Sequence, residues 1–342
     1  MKRIKFSLSL VAVIALLMLV AGVVAGRATG GGGSGGGSGD GGRSAGKRID
    51  VIIKASDSSF WQSMLAGAKQ AGGDFGIEVS LFGPTSETDV GQQVQLVENS
   101  ISRGVDGIVL ASNSSSALNN VIERARKEGI KVIAVDTQVT TPVDGFIGTD
   151  NLKAAEQAGA KLCELAKASG RTAGNVLIES SVAGVQVLTD RETGFRGGLA
   201  ACPDLKIVGP RFNNNDINLA ASQVNDAITA DPNLVAVFAA NNTSGVGAAR
   251  GIKDNNAADR IPVVSFDTDP QQVAALGDGS LDVLVVQNPY FFGYQGVVVA
   301  GMAAVGSIPP RNIDPGAVLA DKSNMGNEEI KTLLTPPTAK AD

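Results

Sequence analysis

Two stretches of this chain repeat one pattern, and the repeat limits the available folds more than any other feature. The first reads Gly-Ile-Val-Leu-Ala-Ser-Asn-Ser-Ser-Ser from Gly107 and, after a helix-like segment, closes Lys-Val-Ile-Ala-Val-Asp-Thr at Thr137. The second reads Val-Ala-Val-Phe-Ala-Ala-Asn-Asn-Thr-Ser from Val235 and closes Pro-Val-Val-Ser-Phe-Asp-Thr at Thr268. Each predicts strand, polar turn, helix, strand, carboxylate. Overlaid, Ser112 and Asn113 fall on Asn241 and Asn242, and Asp136 falls on Asp267; the second copy is two residues longer. A unit repeated in this way predicts two similar lobes, each supplying one polar rim of a shared cleft.

The remaining chain fits that plan. Apolar runs over 49–53, 77–82, 107–111 and 132–136 are continuous rather than alternating, and helix-like segments over 59–71, 90–103 and 117–127 separate them. Ser58 or Ser59 is placed to cap the first of these. Continuous apolar strands between amphipathic helices mean a parallel sheet covered on both faces. A short strand over 145–148 reads as a crossing between lobes. A second set follows, with strands at 175–179, 206–208, 235–239, 262–266 and 281–286. Its helices lie near 154–167, 187–201, 219–230, 245–253 and 270–276, and a further helix over 291–305 is placed to return to the first lobe. The fold class is α/β: two doubly wound, Rossmann-like parallel-sheet lobes. Beyond 306 the chain is rich in proline, with a strand expected near Val318 and a helix over 328–333.

Composition removes several functions. The 342 residues include no histidine, so the commonest general base and metal ligand are missing. Ser-His-Asp and Cys-His nucleophile systems are ruled out on the same ground. Two cysteines, Cys163 and Cys202, are too few for an ordinary zinc site, and no cofactor is expected. A formal charge of −5 opposes nucleic-acid binding, which needs a basic face.

Residues 1–26 read as an export segment. Lys2, Arg3 and Lys5 precede an apolar run over 6–25, and Val23-Val24-Ala25 is an acceptable cleavage site. The run is also long enough to cross a bilayer, so a cleaved signal peptide and a retained anchor both stand open. No cysteine follows closely enough for lipid attachment. Residues 27–47 are mostly Gly and Ser, a flexible linker. An extracytoplasmic protein is expected, in contact with the membrane only through this segment. Export makes a Cys163–Cys202 disulfide chemically permissible, with two buried thiols as the alternative.

In open parallel sheets, ligands bind beyond the carboxyl ends of the strands. Lys54, Phe60 and Trp61 follow the first strand; Ser112, Asn113 and Asp136 follow the first copy of the repeat. In the second lobe the set is Glu179, Ser180, Arg191, residues 213–216, Asn241, Asn242, Asp267 and Gln287. Carboxylates accept from adjacent hydroxyls, a guanidinium donates in a fixed fork and an amide does one of each. Aromatic rings lie against the C–H face of a sugar. The set suits a small, uncharged, polyhydroxylated ligand. Taken singly, each residue has a plainer reading: strand-end Asp and Asn as turn or cap residues, Trp61 as core, Arg191 as a solvated helix residue. It is their placement together, duplicated between lobes, that favours a site.

The chain resembles the periplasmic sugar-binding proteins of the ribose- and galactose-binding type, which serve ABC importers and share their core with LacI-type repressors. The resemblance covers about 48–306 and is carried by Ser59-Phe60-Trp61, the run from Gly107, Val135-Asp136-Thr137, Arg191-Glu192-Thr193-Gly194-Phe195, Ser265-Phe266-Asp267 and Val286-Gln287-Asn288-Pro289. It implies the periplasmic binding protein type I fold with a three-segment hinge. The first lobe would be 48–148 with 288–312, the second 149–287 with 313–334, and 335–342 a tail. It also implies a monomer that delivers a sugar or polyol to a permease and its ATPase. By position it puts the sugar-stacking aromatics on Phe60 and Trp61, the first-lobe carboxylate on Asp136 and the second-lobe partners on Arg191, Asn241, Asp267 and Gln287. Asn113 stands at the duplicated turn. Three places depart from ribose receptors: Thr137 stands for an arginine, Lys54 for a small polar residue, and asparagines around Asn215 for an aromatic. Three further functions are weighed. A repressor-type regulator would need an N-terminal helix-turn-helix, where this chain has the expected export segment and glycine linker. A glycosidase could use two aspartates across a cleft, but these come paired with amide and arginine groups suited to holding a ligand. A receptor for a sugar-like signal would use the same cleft as a transporter.

Overall fold

The computed structural model describes residues 44–339. The predicted export segment (1–26) and the linker up to residue 43 lie outside them. The last residues assigned to the linker do not: Gly46 N–H donates to Gly76 O at 2.8 Å, so this end is part of the folded body.

The first sheet contains β1 (Arg48–Ile52), β2 (Glu78–Phe82), β3 (Gly107–Leu110), β4 (Lys131–Val135), β5 (Gly145–Ile147) and, from the far end of the chain, β11 (Asn312–Ile313). Its order is β11-β5-β4-β3-β1-β2, and every pair is parallel. The second sheet contains β6 (Gly174–Ser180), β7 (Leu205–Phe212), β8 (Leu234–Ala239), β9 (Val263–Phe266), β10 (Val283–Val286) and β12 (Val318–Asp321). Its order, β12-β10-β9-β8-β6-β7, repeats the winding of the first, with β12 antiparallel at the edge. The duplicated stretches are β3–β4 and β8–β9.

Helices cover both faces of each sheet. In the first lobe α1 (Ser59–Phe75) lies on one face, and α2 (Val90–Arg103) with α3 (Asn119–Lys127) on the other. Ile49, Val51 and Val109 point to the α1 side, while Ile52, Ile108 and Leu110 pack under α2 and α3. Both strand faces are therefore apolar, which is why the strands read as continuous runs. The second lobe has α4 (Asn151–Ala168) and α5 (Gln186–Leu199) on one face and α6 (Ile217–Ala230), α7 (Asn242–Asp254) and α8 (Pro270–Asp278) on the other. Acidic or amide N-caps fix several helix starts, with Asp89, Asp150, Asp216, Asn241 and Asp269 each accepting a backbone N–H of the first turn.

The chain passes between the sheets three times among the described residues: after β5 into α4, after β10 into α9 (Pro289–Ala304), and from β11 to β12. Residues 145–148 are thus not the crossing itself. Phe146 and Ile147 pair with Ala134 and Val135 of β4, and the passage comes just after them. The helix α9 does return to the first lobe, where Phe292 and Val297 join the core beside α1. Strand β7 is longer than its sequence predicts because Pro210 does not end it; β7 is an edge strand, where a missing N–H is tolerated.

Two further points resolve or correct the sequence reading. Cys163 and Cys202 are disulfide-bonded, with Cα atoms 5.9 Å apart, joining α4 to the end of α5. The final stretch is not a simple tail. After α10 (Glu328–Leu334) packs Leu334 into the second-lobe core, the chain runs back to the first lobe. There Ala339 N–H donates to Gln62 O at 2.9 Å, and Ala339 packs on the core beside α1.

Candidate functional site

The two repeated aspartates share an uncommon backbone. Asp136 (φ +61°) and Asp267 (φ +76°) both lie in the left-handed region. Each N–H still bonds the neighbouring strand, to Ile147 O and Val285 O at 2.9 Å, before the chain turns. Aspartate tolerates this conformation better than most residues, but it is strained and persists where surrounding structure holds it.

On the first-lobe rim, Lys54 Nζ lies 2.7 Å from Asp136 Oδ2 with both side chains buried. Lys54 Nζ also donates to Thr137 Oγ1 at 2.6 Å, and that hydroxyl donates to Asp136 at 2.9 Å. Thr137 therefore holds the ion pair from behind and does not line the cleft. The Trp61 ring stands 5.3 Å from Lys54 Nζ, and its Nε1 donates to Glu87 Oε1 at 2.7 Å. Phe60 meets Trp61 edge-on with centroids 4.8 Å apart. Asn113 accepts from Gln93 Nε2 at 3.2 Å and donates weakly to Lys54 O at 3.3 Å.

On the second-lobe rim, Asp267 accepts from Gln287 Nε2 at 2.6 Å and from the Asn242 N–H at 3.0 Å. Arg191, one helical turn into α5, donates to Asn151 Oδ1 and to Ala240 O, both at 2.8 Å. Its guanidinium lies flat over Phe266, 3.9 Å from the ring centroid. These bonds engage Nε and Nη1 and leave the Nη2 donors for the cleft. Asn241 caps α7 through Ser244 N–H and donates to Asn215 Oδ1 at 2.8 Å. Asn215 thus positions Asn241 rather than lining the cleft. Gln287 Oε1 is buried with no partner among the described residues.

A small cavity of about 40 Å³ lies between these rims. It is lined by Lys54, Phe60, Trp61, Asn113, Asp136, Arg191, Asn241, Asp267 and Gln287, so nine of the eleven sequence-chosen residues meet there. Ser112, expected on the same rim, instead donates to Ser114 O at 2.6 Å inside its own turn. The two copies differ here because α7 starts at the strand end, whereas a serine-rich loop precedes α3.

Sequence reasoning placed Asn242 on this rim, where it does line the cavity, but missed Glu87 and the run Ser181, Val182, Val185, Val187 and Leu188. Glu87 sits beyond the carboxyl end of β2. The valines were legible as apolar residues in a strand-to-helix loop. Three carboxylates therefore face two cations. Burial pushes the Glu87 and Asp267 carboxyls up, opposed respectively by Lys54 and Arg191. Two cations against three carboxylates leave no positive excess to hold an anion.

The lobes touch around the cavity. Ser59 Oγ donates to Asp269 Oδ2 at 2.9 Å, Asn242 Nδ2 to Ser58 Oγ at 3.1 Å, and Gln186 N–H to Ser115 Oγ at 3.1 Å. Ser58 holds the N-cap position of α1 without capping it; its hydroxyl serves this contact.

Known proteins share both sequence and architecture. The D-allose-binding periplasmic protein of Escherichia coli K12 is 25% identical over 280 residues, covering 79% of this chain and 89% of that protein. A carbohydrate transporter solute-binding protein of Agrobacterium radiobacter, solved with D-arabinose, is 32% identical with a TM-score of 0.82, covering 84% of this chain and 99% of its own. An ABC transporter solute-binding protein of Agrobacterium vitis, solved with D-fucose, is 30% identical with a TM-score of 0.80, covering 84% and 100%. The first is a sugar-binding protein, and the other two are solute-binding proteins of transporters with a sugar bound. With residues 49–307 matched by the periplasmic binding protein domain model, the chain belongs to that family.

Proposed function

We propose that this protein captures an uncharged monosaccharide or polyol between its lobes and delivers it, outside the cytoplasmic membrane, to an ABC importer. The observation that carries this reading is the polar cavity without excess positive charge, with a buried acceptor at Gln287 Oε1 unpaired among the described residues and spare donors on Arg191. The bound sugars of the D-arabinose and D-fucose structures support it. Lobes of 48–148 with 288–312 and 149–287 with 313–334 would hinge at the three passages. Each rim supplies part of the hydrogen bonding, so only the closed form satisfies the ligand hydroxyls, and ligand shifts the open–closed equilibrium by its differential affinity.

Of the residues chosen from sequence, Phe60 and Trp61 would stack on the ring. Lys54, Asn113, Asp136, Arg191, Asn241, Asp267 and Gln287 would bond hydroxyls, and Thr137 and Asn215 would position them. The test is a thermal-shift screen over pentoses, hexoses and polyols, followed by calorimetry on the hits. A binding sugar should raise the melting temperature in a concentration-dependent way. Arg191→Ala and Asp267→Ala should each weaken it by roughly 1–3 kcal/mol or more, because buried partners lose their hydrogen bonds. Undiminished affinity in both variants would remove the site from this cleft.

A further inference from the structure

One wall of the cavity is largely aliphatic, with Ser181 its one polar side chain. It is built by a single segment of the second lobe, the loop after β6 and the first turn of α5, which brings Val182, Val185, Val187 and Leu188 to the cleft. Val185, Val187 and Leu188 are 5–8% exposed, so little water reaches behind them. Val187 and Leu188 precede Arg191 by four and three residues on α5, which sets all three on one face of that helix. The ligand edge that Arg191 holds therefore continues directly onto an aliphatic surface. Phe60 and Trp61 form the apolar surface of the other lobe, and the polar groups lie at the strand ends between.

A hydroxyl turned to Val185, Val187 and Leu188 would be stripped of water and find no side-chain partner among them. A methylene or methyl turned to it would be buried favourably. From this, and resting on the sugar-binding reading above, we infer that the protein selects sugars presenting a hydroxyl-free edge to the second lobe. Pentopyranoses and 6-deoxyhexoses meet that condition; hexoses with a hydroxymethyl group at the same place do not. Val185, Val187 and Leu188 are the specificity-determining residues. An apolar surface discriminates against an added hydroxyl by roughly tenfold to a hundredfold rather than absolutely.

The test is calorimetry on the full chain with sugars matched except at the exocyclic carbon. The pairs are D-fucose with D-galactose, L-fucose with L-galactose, L-rhamnose with L-mannose, and D-xylose with D-glucose. In whichever pairs bind, the deoxy sugar or pentose should bind at least about tenfold more tightly than its hexose partner. In Val185→Thr or Val187→Thr, which add a hydroxyl at nearly constant volume, that ratio should narrow. Equal or tighter binding of the hexose by the unmodified protein overturns the inference while leaving sugar binding intact. No binding with any sugar overturns the sugar-binding reading itself, and the inference with it. Because the ratio in the unmodified protein decides the matter, failure of a variant to fold does not blunt the test.

Discussion

Glu179, next to last in β6, has a fully buried side chain, and one carboxyl oxygen, Oε2, has no partner among the described residues. Burial pushes its pKa up to about 8, against the Asn213 amide, which donates to Oε1 at 2.9 Å, and the charge of Arg211. The folded protein therefore keeps a proton that the unfolded chain releases above its ordinary 4.5. Stability from this group is fully present below about pH 4.5 and is lost progressively as pH rises toward 8. Glu179→Gln keeps the shape of the neutral acid and has nothing to ionise. It should raise the melting temperature at pH 8 by a few degrees, on the order expected for 1–2 kcal/mol, and change it little at pH 4.5. Scanning calorimetry at the two pH values checks this; an equal shift at both would mean that packing rather than ionisation is involved. At this scale much of the candidate site was legible, because aspartates, amides and an arginine at strand ends carry their chemistry in their identity. Glu87 was not, because a glutamate in the polar stretch 85–89 looks like any solvated loop residue until Trp61 is seen to bond it.

Helix pairs set the geometry of each rim. Helix α1, which carries Phe60 and Trp61, crosses α9 so closely that a Cβ at Gly293 would overlap the Met64 carbonyl. Gly293→Ala should force the helices apart and destabilise the protein by roughly 1–3 kcal/mol, read as a lower denaturation midpoint. In the second lobe the disulfide ties α4, whose Asn151 orients Arg191, to the end of α5, which carries Arg191. The bond closes a loop of 39 residues in sequence. Replacing both cysteines by alanine should cost about 3–4 kcal/mol on a chain-entropy estimate. Urea unfolding measures it, and a loss below about 1 kcal/mol would mean that helix packing alone holds the pair together. Element type and order were legible because burial on both faces makes parallel strands continuous apolar runs. Element ends were less so: β7 runs through Pro210, and α7 begins at Asn242 although its repeat-mate α3 begins only at Asn119.

At the scale of the whole molecule, the lobes are linked by more than the three chain passages. Leu334 is anchored in the second-lobe core and Ala339 on the first, so residues 335–339 strap one lobe to the other beside Phe60. Opening the cleft must stretch or detach this strap, together with the Ser59–Asp269 and Ser58–Asn242 contacts. Truncation after Leu334 should favour the open form. Small-angle scattering of the ligand-free protein should then show a larger radius of gyration than for the full chain. Affinity for a binding sugar should fall by about fivefold, the worth of roughly 1 kcal/mol from one backbone hydrogen bond. Unchanged scattering and affinity would mean that the strap follows the lobes without restraining them.

By itself the sequence determined the two-lobed α/β plan, its internal repeat and the polar character of the strand ends. Periodicity and residue identity are local properties, and the repeat reports the duplicated lobe directly. Only the tertiary structure decided which of those polar groups meet. Ser112 turned into its own loop, Thr137 and Asn215 moved behind Asp136 and Asn241, and Glu87 came forward. It decided too that Cys163 and Cys202 are close enough to bond, and that four aliphatic side chains face the cavity. Each of these depends on distances between segments far apart in the chain, set by how helices and sheets pack, and no local pattern encodes them.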